Sequence, residues 1–464
     1  MAGGRAREAA TVQPAMKLQQ ALGIVRGDVV SFIGAGGKTS ALINLGHELV
    51  AQGWRVAATT TTGIAAEELE LMPWALTPGE GRGMLSLALD EAGMVFIYDR
   101  IRGGRVSGPP PEYVSGLLDS VDSDVLLVEA DDAEGLPFKA PRAGQPCIPP
   151  ETSLVVPMAS VNVLGLSLDD AHVYNPQAMM ARYGFNEGQR VKSPWVAQVM
   201  RDPRLGLARV PDRARVAVLL NQVRAQGILR ARARLIARLI LRSPRVERVA
   251  IGAVRGSDPV HEVQQPVAAI ILAAGMSSRM GQPKMLLPWA EDSTILEHVI
   301  MQLLLARVSH ILVVTGHCAA ETGRLARKFA VNTVHNPRHA SGELLSSLKA
   351  GLVSLPAHIG GALVLLGDQP RITPRVINQV LMAWAEGRGG IVAPVHAGRR
   401  GHPILFERRY WQDVLELPEG AAPREVLRRH RPDLALVEVA SDCVLSDVDT
   451  PADYRRERRL AGLP

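Results

Sequence analysis

The chain has 464 residues, 47% of them hydrophobic and 21% charged, which is too long for one core, since cores seldom grow past about 250 to 300 residues, and too apolar for a disordered or fibrous protein. The formal net charge of +6 would suit nucleic acid or small polyanions, but only 4% of residues are aromatic, poor material for base stacking, and no helix-turn-helix, zinc-finger or RNP pattern occurs, so small phosphorylated ligands fit better and no nucleic acid is expected. Cys147, Cys318 and Cys443 lack metal-ligand spacing, no run approaches the roughly 18 apolar residues of a membrane span, and the N-terminal stretch has no apolar signal core, so a cytoplasmic protein without membrane contact is expected.

Residues 1–15 read as a flexible tail, and an N-terminal domain is expected over 16–256. Gly27 to Thr39 (GDVVSFIGAGGKT) predicts strand, turn and helix start, followed by a helix over Ser40–Gln52 and a strand over Arg55–Thr60. A standard phosphate loop ending at Lys38-Thr39 would need glycine where the chain has Phe32, and a dinucleotide fingerprint starting at Gly34 would need glycine where it has Thr39. What remains is a compact loop, Gly34-Ala35-Gly36-Gly37-Lys38-Thr39, similar to the shortened loop of the Mur ligases. Its backbone N–H groups would cradle the phosphates of ATP or GTP, with Lys38 on the β- and γ-phosphates and the Thr39 hydroxyl on Mg²⁺. The 45 arginines outnumber 7 lysines, so Lys38 and Lys284, each just after a glycine-containing turn, stand out.

Asp124 to Glu129 (DVLLVE) predicts a buried strand that runs into Ala130-Asp131-Asp132. A carboxylate at such a strand end is where a phosphate-loop enzyme holds its metal water, which makes Glu129 and Asp131 metal candidates; the alternative is an acidic turn with no duty. Apolar runs at Leu154–Pro157, Val216–Asn221 and Val246–Val254 alternate with helical stretches and imply a parallel sheet covered by helices. Within Ile228–Arg242, apolar residues recur at helical spacing while Arg230, Arg234 and Arg238 step by four along another face, the pattern of a solvated helix surface, with a binding surface as the alternative.

Three segments, GAGGKTS at Gly34–Ser40, the threonine run Thr59–Thr62 and VEADDAEGLPFKAP at Val128–Pro141, resemble the selenium-dependent hydroxylase accessory proteins (YqeC-like), over about residues 20–255. The resemblance implies a P-loop-like three-layer α/β domain serving molybdenum hydroxylase maturation, with no defined reaction.

Ser257–Pro266 is polar, carries Pro259 and Pro266, and reads as a linker over 257–266. A C-terminal domain is expected over 267–464, with strands at Ala268–Leu272, His310–Thr315 and Ala362–Leu366 and a helix through Leu296–Leu305. After the first strand, AAIILAAGMSSRMGQPKMLLPW breaks at Gly275 into a polar turn carrying Arg279 and Gly281, then recovers its hydrophobicity past Lys284. Backbone N–H groups in such a turn suit a phosphate chain, and Arg279 and Lys284 add charge. The strand Ala362–Leu366 runs into Gly367-Asp368-Gln369-Pro370, and ligands of open parallel sheets bind beyond the carboxyl ends of the strands. Asp368 pairs with a second acidic turn, Ser446 to Pro451, containing Asp447 and Asp449. Two carboxylates can hold one Mg²⁺ while substrate phosphates complete its octahedron.

LAAGMSSRMGQPKMLL, the stretch Gly342–Leu352, LLGDQP, RGHPILF at Arg400–Phe406 and DVDTPADY at Asp447–Tyr454 look like the molybdenum cofactor cytidylyltransferases (MocA-like) within the MobA-like nucleotidyltransferases, five motifs in family order over about 267–460. The resemblance implies a Rossmann-like, glycosyltransferase-A-like domain that transfers CMP from CTP to the phosphate of a molybdopterin-type acceptor with Mg²⁺, and transient contact with a molybdenum hydroxylase. Carried over residue by residue, it puts the triphosphate on Leu272, Ala273, Ala274, Gly275, Ser277, Arg279 and Lys284, Mg²⁺ on Asp368 and Asp449, the nucleotide on Ser347, and His402 on the acceptor side. Ala274, where the guanylyltransferase branch has glycine, favours a pyrimidine. A sugar-1-phosphate nucleotidylyltransferase and a non-enzymatic cofactor carrier or insertion chaperone are the alternatives.

Overall fold

Runs of Val, Ile, Leu and Ala with no polar face can only be strands covered on both sides, and the computed structural model, which describes residues 16–290, 292–340 and 344–464, contains two large sheets of them. The expected tail over residues 1–15 and the start of the Gly342–Leu352 stretch lie outside the described residues. The chain divides into two units, Met1–Gln264 and Gln265–Pro464.

In the first unit the strands that matter are β1 Val29–Gly34, β2 Val56–Thr60, β3 Ile64–Ala65, β4 Ala75–Leu76, β5 Met94–Ile97, β6 Arg100–Arg102, β7 Arg105–Ser107, β8 Val125–Glu129, β9 Leu154–Ser160, β10 Arg215–Asn221, β11 Arg248–Gly252 and β12 Val260–Gln264. Nine of them form one sheet in the order β12-β11-β10-β9-β1-β8-β2-β5-β4, while β3, β7 and β6 form a small sheet of their own. Every pairing in the large sheet is parallel except β11 with β12. Along β1, Val30 and Phe32 enter an apolar cluster with Leu42 and Leu45 of the helix α1, Lys38–Val50, whereas Val29 and Ile33 enter another with Leu85 and Leu89 of the helix Gly81–Ala92. Alternate side chains thus feed cores on opposite faces, giving three layers.

Two expectations fail here. Half of the expected linker 257–266 is the strand β12, antiparallel on β11, with Val260 and Val263 buried; only Gln265 and Pro266 separate it from the next strand. The reading as linker was misled by Glu262, fully buried at 0% exposure, a charge that breaks the apolar pattern of an inward-facing strand. Its partners explain the second failure. Of the arginines expected to face solvent on α2, Ile228–Ile240, Arg230 and Arg234 fold onto Glu262, Arg234 with Nε 2.8 Å from Oε1 and Arg230 with Nη2 3.2 Å from Oε2.

The second unit has β13 Val267–Ala273, β14 His310–Thr315, β15 Asn332–His335, β16 Gly361–Leu366, β17 Ile391–His396, β18 Arg399–Arg400, β19 Ile404–Glu407 and β20 Leu434–Glu438. The order is β15-β14-β13-β16-β19-β17-β18, with β20 paired to β17. β13 runs parallel to both β14 and β16, and β19 is antiparallel to its neighbours. Ala269 and Ile271 face one core while Ala268 and Ile270 face the other, so this sheet too is covered on both sides. The chain leaves β13 for β14 on one side and returns to β16 on the other, which makes the carboxyl end of β13 a switch point where a crevice opens. Among the described residues no helix is long and apolar enough to cross a membrane.

Glu262→Gln should destabilise the N-terminal unit by about 3 kcal/mol, the low end for breaking a buried ion pair, because both arginines keep some access to water. Urea unfolding checks it, and an unchanged midpoint would show that β12 does not depend on this pair.

Candidate functional site

The N-terminal loop folds as it does because three glycines take left-handed backbone. Gly34, Gly36 and Gly37 have φ of +84°, +86° and +110°, and a Cβ would stand 2.4 Å from the Met158 carbonyl oxygen at Gly34 and 2.5 Å from the Ser160 nitrogen at Gly36. The loop therefore lies flat against the end of β9 and delivers Lys38 as the first residue of α1. Its inward carbonyls are satisfied by the chain: Lys38 Nζ donates to Gly34 O at 3.0 Å, and Asn221 Nδ2 to Gly36 O at 2.8 Å. The Asn221 carbonyl oxygen accepts from the Val254 and Gln222 N–H groups at 3.0 and 2.8 Å, so one buried amide ties the loop to the chain leaving β10 and β11. The first-turn N–H groups of α1 have no partners within the helix and suit an anion.

The carboxylates after β8 divide their duties otherwise than expected. Asp131, expected to hold a metal, is 2% exposed and accepts from the Gly34 N–H at 2.9 Å on Oδ2 and from Lys139 Nζ at 2.6 Å on Oδ1. It thereby braces the loop, and it does not line the neighbouring cleft. Glu129 does line it, is 5% exposed, and its Oε2 lacks a hydrogen-bond partner. Burial raises its carboxyl to about 7, against the attraction of Lys38, whose Nζ lies 3.8 Å from Oε1, and a hydrogen bond from Thr39. The cleft, of about 500 Å³, is also lined by Gly36, Gly37, Lys38, Thr39, Asp132 and Arg105, a volume within the range of small-molecule sites.

In the second unit a cleft of about 410 Å³ opens at the carboxyl ends of β13 and β16, lined by Leu272, Ala274, Gly275, Lys284, Ser347 and Asp368 among others. Ala273 is buried beneath it. A Cβ at Gly275 would meet open space, so the room this glycine leaves faces away from the protein. Ser277 has φ +52°, an uncommon left-handed serine, and its Oγ accepts from the Lys284 N–H at 3.2 Å, which fastens the polar turn to the residue that ends it. Lys284 then reaches both expected carboxylates: Nζ donates to Asp368 Oδ2 and, at 3.1 Å, to Asp449 Oδ1. Burial pulls the Lys284 ammonium down, but the two carboxylates together outweigh it and hold it above the ordinary lysine value. Arg279, 70% exposed, adds a 3.0 Å ion pair to Asp449 Oδ2. Asp447, between them in sequence, is pushed up by burial and by Asp368 and Asp449, while Gln369 Nε2 donates to it at 2.6 Å. The Val448 N–H bonds to Asp368 O at 3.0 Å, locking the two acidic turns together.

Ser347 accepts from Asn336 Nδ2 at 3.0 Å at the cleft wall. His402, expected on the acceptor side, is partly buried between β18 and β19, is pushed by burial to about 4 and so is neutral, and is not among the side chains lining the cleft. Sequence reasoning missed Asn221, Lys139, Arg105, Gln369 and Asn336; Asn221, Arg105 and Gln369 act through partners remote in sequence, and only Lys139 carried a readable signal, as one of 7 lysines.

Comparison with known proteins places a stretch of each unit in a family. The MobA-like NTP transferase domain matches residues 269–434, and the YqeC protein family matches residues 30–177. Molybdenum cofactor cytidylyltransferase of Escherichia coli (strain K12) is 34% identical over 189 residues, 40% of this chain and 93% of that protein. The YqeC protein of the same organism is 30% identical over 202 residues, 42% of this chain and 77% of its own length. Nicotine blue oxidoreductase of Paenarthrobacter nicotinovorans is 29% identical over 192 residues, covering 40% of this chain and 92% of that protein.

The buried Glu129 yields a pH-dependent expectation. Its folded value, about 7, lies above the ordinary 4.5, so the fold favours the protonated form; that contribution is complete below the ordinary value and is lost as pH rises through 7. Glu129→Gln should melt with wild type at pH 4 and be more stable at pH 8, by on the order of 2 kcal/mol. Thermal melting of the ligand-free protein at both pH values checks it, and parallel curves would refute it.

Proposed function

Because the chain belongs to the MobA-like NTP transferase family through residues 269–434 and to the YqeC family through residues 30–177, we propose that its C-terminal unit, a nucleotidyltransferase, moves CMP from CTP to the phosphate of a molybdopterin-type acceptor and releases pyrophosphate. The observation that carries this is Lys284 drawn between Asp368 and Asp449 at the switch-point cleft. The donor set fits a hard divalent cation: Asp368 and Asp449 converge on one ammonium, and both act on Asp447. Mg²⁺ takes one or two protein carboxylates and completes its shell with phosphates and water. When bound with nucleotide, it would be held by Asp368 and Asp449 and would offset charge moving toward the leaving pyrophosphate.

The chain's own residues supply the rest. The terminal phosphate of the acceptor is mostly ionised at neutral pH, with a second pKa near 6, so no general base is required. Its oxygen forms a bond to the α-phosphorus of CTP as the bond from that phosphorus to the departing pyrophosphate breaks. Lys284 and Arg279 leave their carboxylates for the phosphates, and the polar turn Gly275–Ser277 supplies N–H donors. Ala274, 6% exposed at the cleft, supports the pyrimidine by the family resemblance. For the N-terminal unit we assign a P-loop-like site for the phosphates of ATP or GTP at Gly34–Thr39, with the Thr39 hydroxyl as the nearest ligand for an accompanying divalent ion and Asp131 as the loop brace. The product would go to a molybdenum hydroxylase.

Incubation with each of the four NTPs, Mg²⁺ and molybdenum cofactor should release pyrophosphate with CTP. Release only with a hexose 1-phosphate would favour the sugar nucleotidylyltransferase, and none with any acceptor would favour a carrier. Lys284→Ala should lower kcat on the order of 10² to 10³-fold, as loss of a transition-state donor does; normal turnover would remove Lys284 from the mechanism.

A further inference from the structure

The N-terminal cleft is lopsided. On one side of β1 lie the ends of β10 and β11, joined to the loop by Asn221; on the other lie the turn after β8 and the connection after β2. The second side gathers charge: Glu129 with its unbonded buried oxygen, Asp132, and an arginine from outside the main sheet. Arg105 opens β7 in the three-stranded sheet β3-β7-β6. Its Nη2 donates to the Gly63 carbonyl at 3.1 Å and to Asp132 Oδ2 at 2.6 Å. Those bonds bridge the two rims yet use one nitrogen of a guanidinium that carries five N–H donors, and the side chain stays 54% exposed. Burial would raise the Asp132 carboxyl, but the Glu134 N–H, Arg105 and Lys38 together hold it low, so the loop lysine and the hairpin arginine act on the same carboxylate. A terminal phosphate entering beside Lys38 would meet Arg105 there.

We propose that this site hydrolyses the terminal anhydride of a nucleoside triphosphate, with Arg105 supplied in cis to the transferring phosphoryl group and Asp132 as the positioning residue that holds it ready. The proposal rests on the nucleotide-site reading of Gly34–Thr39. A water oxygen forms a bond to the γ-phosphorus; the bond from that phosphorus to the bridging oxygen breaks, its electron pair stays on the β-phosphate, and both water protons leave with orthophosphate, one of them passing on to solvent. Glu129, which lines the cleft with one carboxyl oxygen unbonded, would orient the water by turning that oxygen toward it. Charge spreads over the terminal oxygens in such a transition state, and a forked arginine meets several of them at once.

The test uses the full chain with Mg-ATP or Mg-GTP and no molybdopterin acceptor, so that orthophosphate and not pyrophosphate is the product read. Affinity is taken from a fluorescent N-methylanthraniloyl nucleotide, counting the part of the signal that Lys38→Ala abolishes. Wild type should release orthophosphate. Arg105→Ala should lower kcat on the order of 10³-fold or more with Kd changed less than about three-fold, and Arg105→Lys should not restore it, since lysine lacks the fork. Nucleotide bound but no orthophosphate released would overturn the hydrolysis and leave the binding site standing. A higher Kd with unchanged kcat in Arg105→Ala would overturn the role of Arg105. No signal sensitive to Lys38→Ala would overturn the nucleotide reading itself, and the proposal with it.

Discussion

Parallel strands end on the same edge, and both units depend on that constraint. The central strands bury both faces and can carry little chemistry along their length, so the polar groups crowd where those strands stop. The edge converts distance in sequence into contact: Asp131 braces Gly34 from 97 residues away, and Lys284 meets Asp449 across 165. In the first unit the loop after β1 is flanked by the ends of β8, β9 and β10, and in the second the turn after β13 is flanked by that of β16.

The two edges manage charge differently. At the C-terminal site opposite charges lie together: one ammonium serves two carboxylates, a guanidinium adds to one of them, and the paired turns are stitched by Val448 and Gln369. At the N-terminal site the buried pair Asp131 and Lys139 is spent on holding the loop, and burial outweighs Asp131 in lowering the lysine's affinity for its proton. Glu129 is then left beside Lys38 with an unused oxygen. A fold that keeps such an acceptor dry carries a cost, which a ligand bringing a donor would relieve.

Much of the architecture was legible because central strands announce themselves: VVSFIG, VLLVE and HILVVT are apolar beyond what a half-exposed strand needs, and the first two end in the residues that matter. Asp368 was legible for the same reason, sitting just past such an end, whereas Lys284 and Asp449 were legible from the turns and motifs that carry them. The strand β12 was hidden by Glu262, whose burial depends on two arginines from a helix that no local pattern connects to it. Asp131 looked equivalent to Glu129 until the Gly34 N–H and Lys139 claimed it, and spacing cannot separate two carboxylates on adjacent alternating positions when only tertiary contacts decide which one points into the cleft. Arg105 was hidden among 45 arginines; its placement depends on a three-residue strand with no apolar signature.

The caught position of Lys284 bears on the order in which ligands arrive. A divalent ion approaching alone meets two carboxylates that the chain has already neutralised, and must displace a tethered ammonium whose local concentration no free ion matches. A nucleotide carrying its own ion offers that ammonium a new anion at the moment it is displaced. Under the proposed function the site would thereby favour joint entry of metal and nucleotide, a selectivity resting on the reach of one lysine side chain.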